Sequence, residues 1–502
     1  MPGPGGGSRG AGRPYRACVT WCTLGYMSNI VRRISHDSLG VQTAEPMRAA
    51  TVRFSTHLNN SDTLLWNIEH DPLLRTTIVA ISMLDRSPNW ERLLARLADV
   101  ARDVPRLRQR VVEAPLRLGP PRWQTVDQID MSYHVRRVVA PAPADLRAVL
   151  DIAGPIAMAA FDKDRPLWEF TLVEGLDRGR AALIQKIHHS FTDGVGAIRL
   201  AQLMLDDRRN AKRWVPSAAQ SVHAGSTATV SRLPLPVRAV QALPATAAHA
   251  VSDPVGFARA ARRSVRSIGR MLAPANAPLS PTMTGRGLSR RLGAFDVPLD
   301  QMRAAAHAAE SSLNDAFLAS VAGGMRRYHE HHGVAVARLR VTMPVNLRRA
   351  GDDLGNNRFT PVRFALPVAT LDPSDRMREI GEIARTWRRE PALPLTEVIA
   401  GVLDRLPVVA TTTLFGSMLK GVDFVATNVP GLTQRSFLAG AEVLREYAFA
   451  PPTGAALSVA LLSHLDQCCI GLNIDTAAVP DPEVLTECVA AGFAEVLAVR
   501  AT

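Results

Sequence analysis

Long apolar runs and cysteines are both scarce in this chain. No stretch approaches the ~18 to 20 uninterrupted apolar residues that a transmembrane helix needs. The five cysteines are odd in number and lack the spacing of a metal site or a disulfide framework: Cys18, Cys22, Cys468, Cys469 and Cys488. The sequence therefore predicts the reduced thiols of a cytosolic protein, with no bound metal.

The N-terminal segment lacks the hydrophobic periodicity of a folded domain. It opens with MPGPGGGSRGAGRPYR, and periodic sequence begins only near Thr51. A Gly-, Pro- and Arg-rich segment cannot bury enough apolar surface to offset the entropy of ordering it. We therefore predict a disordered extension over residues 1–46. The short apolar run ACVTWCTLGYM is not followed by a clear cleavage site, so no signal peptide is predicted.

The net charge of +13 is concentrated in one part of the chain. Between Asp206 and Arg290 there are thirteen Lys and Arg residues against three Asp. Because this segment is also rich in Pro, Ala and Ser, it predicts a long basic linker over residues 206–285. It has few aromatic residues to stack on bases, which argues against nucleic-acid binding.

Two folded halves are predicted on either side of this linker. A chain of 502 residues exceeds the length at which a single hydrophobic core stops growing. Both halves alternate helical and strand-like patterns, which is typical of a mixed α/β or α+β fold. We predict an N-terminal domain over residues 47–205 and a C-terminal domain over residues 286–502.

Two adjacent histidines follow a strongly apolar segment of the first half. The segments LWEFTLVEGL and RAALIQKIHHS are predicted to be strands joined by the turn-rich LDRGR. His188 and His189 then lie at a strand end, before a helix that begins near Asp193. An imidazole suits general-base chemistry, a carboxylate can orient a loop, and Gly194 permits a close approach. Histidines that only complete hydrogen bonds in the core are the competing interpretation.

Several segments resemble those of one known family. HHSFTDG resembles the HHxxxDG signature of the CoA-dependent acyltransferase superfamily, and its surroundings resemble the bacterial wax ester synthase/diacylglycerol acyltransferase family. The matching segments run in the family's order: DRPLWEF (164–170), LNDAF (313–317), MPVNLR (343–348), LGNNRF (354–359) and TNVPG (427–431). The resemblance covers most of the chain between Ser61 and Asp481.

Three positions depart from the family's pattern. The chain reads DPLLRTT from Asp71 where the family has Pro-Met-His, Thr427 replaces a Ser, and Ser463-His464 replaces a Ser-Tyr pair. None of them lies in the histidine motif. The departures at Leu73-Leu74 and His464 keep open the alternative of a non-catalytic relative that binds lipid or acyl-CoA. A same-fold acyltransferase with another hydroxyl acceptor, such as a polyketide diol, is a further alternative.

The resemblance implies transfer of an acyl group from acyl-CoA to a diacylglycerol or a fatty alcohol, with no cofactor and no acyl-enzyme. It implies that His189 is the general base, that His188 supports the strand end, and that Asp193 orients the loop through an ion pair with an arginine. Asn314, next to Asp315, is implied as an oxyanion donor, with helix capping as the alternative. Scaffold or channel roles are implied for Pro166, Leu167, Trp168, Asn346, Asn428, Pro430 and Gly431.

The fold implied by the resemblance is a pair of chloramphenicol-acetyltransferase-like domains with His189 in a channel between them. Within the linker, five apolar residues share one side of a helical wheel opposite five arginines: Phe257, Ala261, Val265, Ile268 and Leu272. This basic amphipathic helix either docks on the second domain or lies on an anionic membrane or lipid droplet. A lipid substrate suits the second alternative, so we expect a cytoplasmic protein with peripheral membrane contact.

Overall fold

Two six-stranded sheets with flanking helices dominate the part of the chain that the structure describes. The computed structural model describes residues 55–114, 119–192, 194–211, 262–263, 266–270, 272–275, 277–346, 359–388 and 396–500. The predicted extension and most of the predicted linker lie outside these ranges, as does Asp193.

The first half confirms the strands and helices predicted around the histidines. Its elements are α1 (Asn60–Ile68), β1 (Thr77–Leu84), α2 (Trp90–Asp103), β2 (Gln109–Val112), β3 (Arg122–Thr125), α3 (Met131–His134), β4 (Val135–Val139), α4 (Leu146–Met158), β5 (Trp168–Glu174), β6 (Ala181–His188) and α5 (Gly194–Met204). Short 3₁₀ turns connect some of them, at Pro72–Leu74, Pro105–Arg108 and Asp177–Gly179.

The second half continues the mixture of helices and strands. Its elements are β7 (Arg290–Pro298), α6 (Leu299–Ala308), α7 (Leu313–His331), β8 (Arg338–Asn346), β9 (Phe359–Pro367), α8 (Pro373–Arg388), α9 (Thr396–Leu403), α10 (Val408–Leu419), β10 (Phe424–Pro430), β11 (Phe437–Leu438), β12 (Ala441–Phe449), β13 (Leu457–His464), β14 (Gln467–Asp475) and α11 (Pro482–Leu497). The predicted mixed α/β fold is confirmed.

The N-terminal cap of α1 is Asn59, whose side-chain oxygen accepts from the backbone N–H of Asp62 at 2.6 Å. The helical spacing of apolar residues made Ser61 an equally good candidate, because Asn and Ser are about equally good caps and residue type alone does not choose between nearby positions. Asn89 and Asp145 cap α2 and α4 in the same way.

A strand from the second half completes the sheet of the first. The strand order is β11-β12-β1-β6-β5-β4, so β1 pairs with β6 on one edge and with β12 on the other. Val79, for example, lies opposite Lys186 and Phe449. The two predicted halves therefore interlock through β12, which sequence periodicity did not anticipate. The predicted boundaries at residues 205 and 285 stay predictions.

The second sheet has the order β7-β14-β13-β10-β8-β9 and packs against α6, α7 and α11 through a large apolar core. Strand β10 runs parallel to both of its neighbours, β13 and β8. Cys468 and Cys469 lie buried in β14, and burial raises the pKa of both thiols, that of Cys468 to about 12. These thiols are therefore protonated and unreactive at neutral pH.

Both described ends of the predicted linker are fixed to the folded part of the chain. At the first end, Asp206 pairs with Arg92 at 2.9 Å and with the buried Arg96, and Arg209 pairs with Asp85 at 2.8 Å. The backbone N–H of Asp206 also donates to Phe437 O at 2.7 Å, beside β11. The chain thus leaves the first half anchored between α2 and the crossing strands.

At the far end of the linker, one buried carboxylate holds the returning chain. Asp423 accepts from the backbone N–H groups of Leu279, Ser280 and Arg340 at 3.2, 2.9 and 2.6 Å. Of the predicted basic helix, residues 262–263, 266–270 and 272 are described as helical. Its described arginines are exposed, whereas Ile268 and Leu272 are half-buried. Phe257, Ala261 and Val265 lie outside the description.

A carboxyl group is buried within the first sheet. Glu446 of β12 is 2% exposed and lies opposite Ser82 of β1, whose hydroxyl accepts from Gln185 of β6 at 3.0 Å. Burial raises the pKa of Glu446 to about 7, against a smaller lowering by its hydrogen bond with Ser82. The folded protein therefore holds this proton over a pH range in which the unfolded chain releases it.

We expect this carboxyl to make the free energy of unfolding fall as the pH rises from about 4.5 to 7. A folded-state pKa of about 7 against an ordinary value of 4.5 corresponds to roughly 3 kcal/mol. The variant Glu446→Gln, which cannot ionise, should lose most of that fall and be the more stable protein at pH 8. Urea unfolding at pH 5, 6, 7 and 8 measures this. If the free energy of unfolding changed with pH in the same way in the wild type and in Glu446→Gln, this expectation would be wrong.

Candidate active site

The two motif histidines lie where β6 ends, as the sequence predicted. His188 is the last residue of the strand, and its backbone N–H donates to Leu167 O at 3.1 Å. The backbone N–H of His189 donates to Thr76 O at 3.0 Å, directly before β1. The chain then turns, since Phe191 N–H donates to His188 O at 2.9 Å. The backbone at His189 is thus held from β1, one strand away.

The two imidazoles occupy different environments, as expected for neighbours near a strand end. His188 is 1% exposed and lies edge-on to Trp66 and Phe161, with ring centroids 5.7 and 5.9 Å away. His189 is half-buried, with its Nδ1 buried. This difference fits a structural role for the first histidine and a chemical role for the second, although both roles stay predictions.

A carboxylate that the sequence reasoning missed lies against His188. Glu69, directly after α1, has its Oε1 2.9 Å from Nε2 of His188. The same Oε1 accepts from the backbone N–H and the hydroxyl of Thr76 at 2.7 and 2.8 Å. Burial alone would raise the pKa of Glu69, but His188 and the hydrogen bonds from Thr76 outweigh it and lower that pKa to about 2. Glu69 is therefore ionised at any physiological pH.

Hydrogen bonding also fixes the tautomer of His188. Its Nδ1 accepts from the backbone N–H of Ser190 at 3.1 Å, and the Ser190 hydroxyl lies 2.7 Å from the same atom. A nitrogen that accepts carries no proton, so the ring proton is on Nε2 and is donated to Glu69. His188 consequently braces the residue that follows His189.

The start of α5 meets the second half of the chain at Gly194. A Cβ on Gly194 would lie 3.1 Å from Cγ2 of Val429, in the Asn-Val-Pro-Gly segment that ends β10. This contact gives a physical reason for glycine there. Asn428 is half-buried, and its backbone lies opposite Leu461 of β13. The predicted ion pair of Asp193 lies outside the described residues.

The end of the same segment is tied to β13. The backbone N–H of Gly431 donates to the hydroxyl of Ser463 at 3.2 Å, and a Cβ on Gly431 would overlap the carbonyl oxygen of Ser463. Pro430 ends β10 opposite Ser463 and is exposed. These contacts fit the scaffold role implied for the segment, which stays a prediction.

The Pro-Leu-Trp segment supports the other side of the histidine strand. Pro166, Leu167 and Trp168 are all buried. The indole N–H of Trp168 donates to Leu107 O at 2.9 Å, and its ring stacks on that of His134 with centroids 4.3 Å apart. Because Leu167 O holds the backbone of His188, this segment fixes the position of the strand end.

The Asn-Asp motif lies in the first turn of α7, but the capping alternative for Asn314 is wrong. The N-cap is Ser312, which forms a reciprocal capping box with Asp315. Asp315 is thus a helix-capping residue. The side chain of Asn314 donates only a weak bond, to Sδ of Met343 at 3.7 Å. Ser, Asn and Asp all favour the N-cap position, and the segment SSLND contains all three. The sequence alone therefore did not show which residue caps the helix.

Two of the departures from the family pattern lie among buried residues with defined contacts. Thr76, in the segment that replaces Pro-Met-His, donates its hydroxyl to Glu69, and Leu74 is fully buried. His464 is buried with Nε2 3.2 Å from Val443 O of β12, and burial lowers its pKa.

Asn346 ends β8 opposite Phe359, while its side chain lies outside the description. Among the described residues, no group of three or more His, Cys, Asp or Glu side chains could hold a metal ion.

Comparisons with known proteins identify similar sequences along most of the chain. A family model of the wax ester synthase/diacylglycerol acyltransferase catalytic domain matches residues 58–317, and one of the WS/DGAT C-terminal domain matches residues 355–496. A Mycobacterium tuberculosis protein named as a diacylglycerol O-acyltransferase is 38% identical over 464 residues, covering 89% of this chain and 92% of its own. Another from the same species is 27% identical over 424 residues, covering 82% and 89%.

Solved structures show the same fold. The wax ester synthase/diacylglycerol acyltransferase from Marinobacter aquaeolei VT8 has a TM-score of 0.59 at 21% identity, covering 88% of this chain and 98% of that one. The first condensation domain of the calcium-dependent antibiotic synthetase has a TM-score of 0.58 at 15% identity, covering 90% and 98%. The predicted two-part acyltransferase architecture is thereby confirmed at the level of fold.

We expect Gly431→Ala to destabilise the protein by about 1–3 kcal/mol, the usual cost of overpacking, because the new methyl would overlap the backbone of β13. Gly416→Ala in α10 is the matched control, since the nearest atom to its Cβ, Cε of Lys420, is 3.8 Å away. That control should be neutral or stabilising by up to about 1 kcal/mol, from helix propensity. Urea unfolding measures both. Equal free energies of unfolding for the two variants would contradict this expectation, because they would show that the loop can move away from β13.

Proposed function

Since the chain belongs to the wax ester synthase/diacylglycerol acyltransferase family, we propose that it transfers a long-chain acyl group from acyl-CoA to the hydroxyl of a diacylglycerol, a fatty alcohol or both. The observation that carries the proposal is the arrangement at the end of β6. There a half-buried His189 extends from a backbone that is hydrogen-bonded to Thr76 and flanked by the braced Ser190. The products are a triacylglycerol or a wax ester, together with CoA.

In the proposed mechanism, His189 acts as the general base. It removes the proton of the acceptor hydroxyl as the oxygen attacks the thioester carbonyl carbon, which forms a tetrahedral oxyanion. The carbon–sulfur bond then breaks, and the imidazolium returns the proton to the CoA thiolate. No covalent acyl-enzyme forms, because the thioester is already activated. A positioned base contributes ~10²- to 10⁴-fold to such a step.

Binding both substrates together supplies the rest of the rate enhancement. Holding the hydroxyl and the thioester in register contributes up to ~7–11 kcal/mol in well-oriented systems. Asn314 is our candidate donor to the oxyanion, since it would exchange only a weak bond to a thioether for a charged acceptor. In this proposal Asp193 keeps the orienting role that the resemblance implies, Gly194 permits a close approach, and Asn428, Pro430 and Gly431 form part of the channel wall.

We expect thiol release from palmitoyl-CoA to depend on added dioleoylglycerol or hexadecanol. The variant His189→Ala should lower this release by ~10²- to 10⁴-fold, because it removes the base. A thiol-reactive dye measures the release, and mass spectrometry identifies the product. His188→Ala is not a suitable control, since it would remove one of the three donors to the buried Glu69 and the acceptor for Ser190.

The other possible results of the thiol-release experiment lead to different conclusions. If folded protein released no thiol with either lipid, the lipid acceptors would be wrong, and another hydroxyl acceptor or a binding role would replace them. Release that survives His189→Ala would contradict the mechanism. Transfer to only one acceptor would name the substrate class.

We also propose that the protein contacts an anionic membrane or lipid-droplet surface through the basic segment after the first half. No helix among the described residues is long and apolar enough to cross a membrane. The described arginines of the basic segment, Arg262, Arg263, Arg266 and Arg270, are exposed, while Ile268 and Leu272 are half-buried against the protein. Contact through these arginines would therefore be mainly electrostatic, and would bring the protein to its lipid acceptors.

Replacing those four arginines by serine should weaken binding to vesicles of anionic phosphatidylglycerol, by about 1 kcal/mol for each charge near the surface. Vesicle flotation at 50 and 300 mM salt measures the binding, which should also fall with salt. A matched control removes four other exposed arginines, outside the basic segment: Arg86, Arg102, Arg303 and Arg378. Equal losses in the two variants would attribute binding to net charge alone and would contradict the location proposed.

A further inference from the structure

We propose that Glu69 is a positioning residue for the base: its carboxylate holds, through His188 and Thr76, the turn that presents His189. The inference rests on the proposed catalytic role of His189 and extends it to a residue outside the histidine motif. Glu69 does not touch the reacting atoms in this proposal. It acts on the backbone on either side of the base.

A single carboxylate oxygen of Glu69 accepts all three hydrogen bonds of this arrangement. Oε1 of Glu69 lies 2.7 Å from the backbone nitrogen of Thr76, 2.8 Å from its hydroxyl and 2.9 Å from Nε2 of His188. Thr76 and His188 are both 1% exposed, so water cannot readily replace a lost partner at either residue. A buried donor left without an acceptor costs about 1–3 kcal/mol. The three donors must therefore stay near this oxygen, and they keep their relative positions.

Two chains of hydrogen bonds lead from that oxygen to the base. In one, Glu69 fixes Thr76, and the carbonyl of Thr76 accepts the backbone N–H of His189 at 3.0 Å. In the other, Glu69 accepts from Nε2 of His188, and Nδ1 of the same ring accepts the backbone N–H of Ser190 at 3.1 Å. The peptide groups on both sides of the His189 side chain are thus held from one carboxylate.

The position of Glu69 at the end of a helix makes this support rigid. Glu69 is the C-terminal cap of α1, and its backbone N–H donates to Asn67 O. Helix α1 begins at the cap formed by Asn59, and its Trp66 lies against the ring of His188. The carboxylate is therefore placed by a capped helix that also packs on the group it supports.

Two conservative variants at Glu69 distinguish the effect of the position of its carboxylate oxygen from the effect of its charge. Glu69→Gln keeps an oxygen at the same distance from the backbone but loses the charge, whereas Glu69→Asp keeps the charge but withdraws the oxygen by one methylene. If Glu69 acts by positioning, E69Q retains most of kcat. The kcat of E69D should then fall on the order of 10- to 100-fold, by analogy with the loss when a partner that orients a metal-bound histidine is removed, with KM unchanged. The assay is the release of thiol from palmitoyl-CoA with the active acceptor.

A second readout does not depend on activity. Hydrogen exchange detected by mass spectrometry should show faster exchange of the backbone amides of residues 186–192 in E69D than in E69Q or the wild type. Exchange in β14, residues 467–475, should be unchanged. The matched control is Glu495→Asp in α11, which likewise withdraws a carboxylate by one methylene, here from Arg326 and Arg376 at 2.9 and 2.8 Å. It should lower global stability without changing kcat.

The outcomes distinguish this inference from the proposed function. Wild-type protein that transfers no acyl group would overturn the function, while the exchange experiment would still decide whether Glu69 holds the turn. Equal exchange at residues 186–192 in E69D and the wild type would overturn the positioning role. So would a kcat of E69D that equals that of E69Q. A larger loss in E69Q than in E69D would assign Glu69 an electrostatic role instead.

Discussion

The pairing of β1 along both of its edges is the constraint on which the site depends. On one edge it pairs with β6, which places Thr77 opposite His188 and brings the carbonyl of Thr76 to the backbone of His189. On the other edge it pairs with β12, which arrives from the second half of the chain. A strand bonded on both edges cannot shift register without breaking both ladders. The position of the base is therefore fixed by residues from both halves.

The two neighbouring imidazoles of the site need opposite environments, and the end of a strand provides both. A supporting histidine has to be buried with both ring nitrogens hydrogen-bonded, as His188 is with Glu69 and Ser190. A general base has to remain accessible to a proton on a substrate, and His189 is half-buried. Because successive residues at a strand end project to opposite sides, adjacent positions satisfy both demands where the strand passes into the turn.

Small residues and backbone contacts support the region where the two halves meet. Gly194 of the first half faces Val429 of the second, and within the second half Gly431 lies against the backbone of Ser463. His464 next to it reaches Val443 of the crossing strand. The replacement of the family's Pro-Met-His by a segment that contains Thr76 fits the same arrangement, since the hydroxyl of Thr76 supplies another donor to Glu69. These departures alter the support of the site and leave the histidine motif intact.

The sequence by itself determined the local elements and the kind of chemistry. Alternating apolar residues and turn signals predicted β5, β6 and the strand end that carries His188 and His189, and the motifs indicated the family. Only the tertiary structure decided that β12 joins the first sheet, that Ser312 rather than Asn314 caps α7, and that Glu69 holds the histidine turn. Periodicity reports which face of an element is buried, whereas hydrogen bonds between residues far apart in sequence, such as Glu69 and His188, are decided when the elements pack.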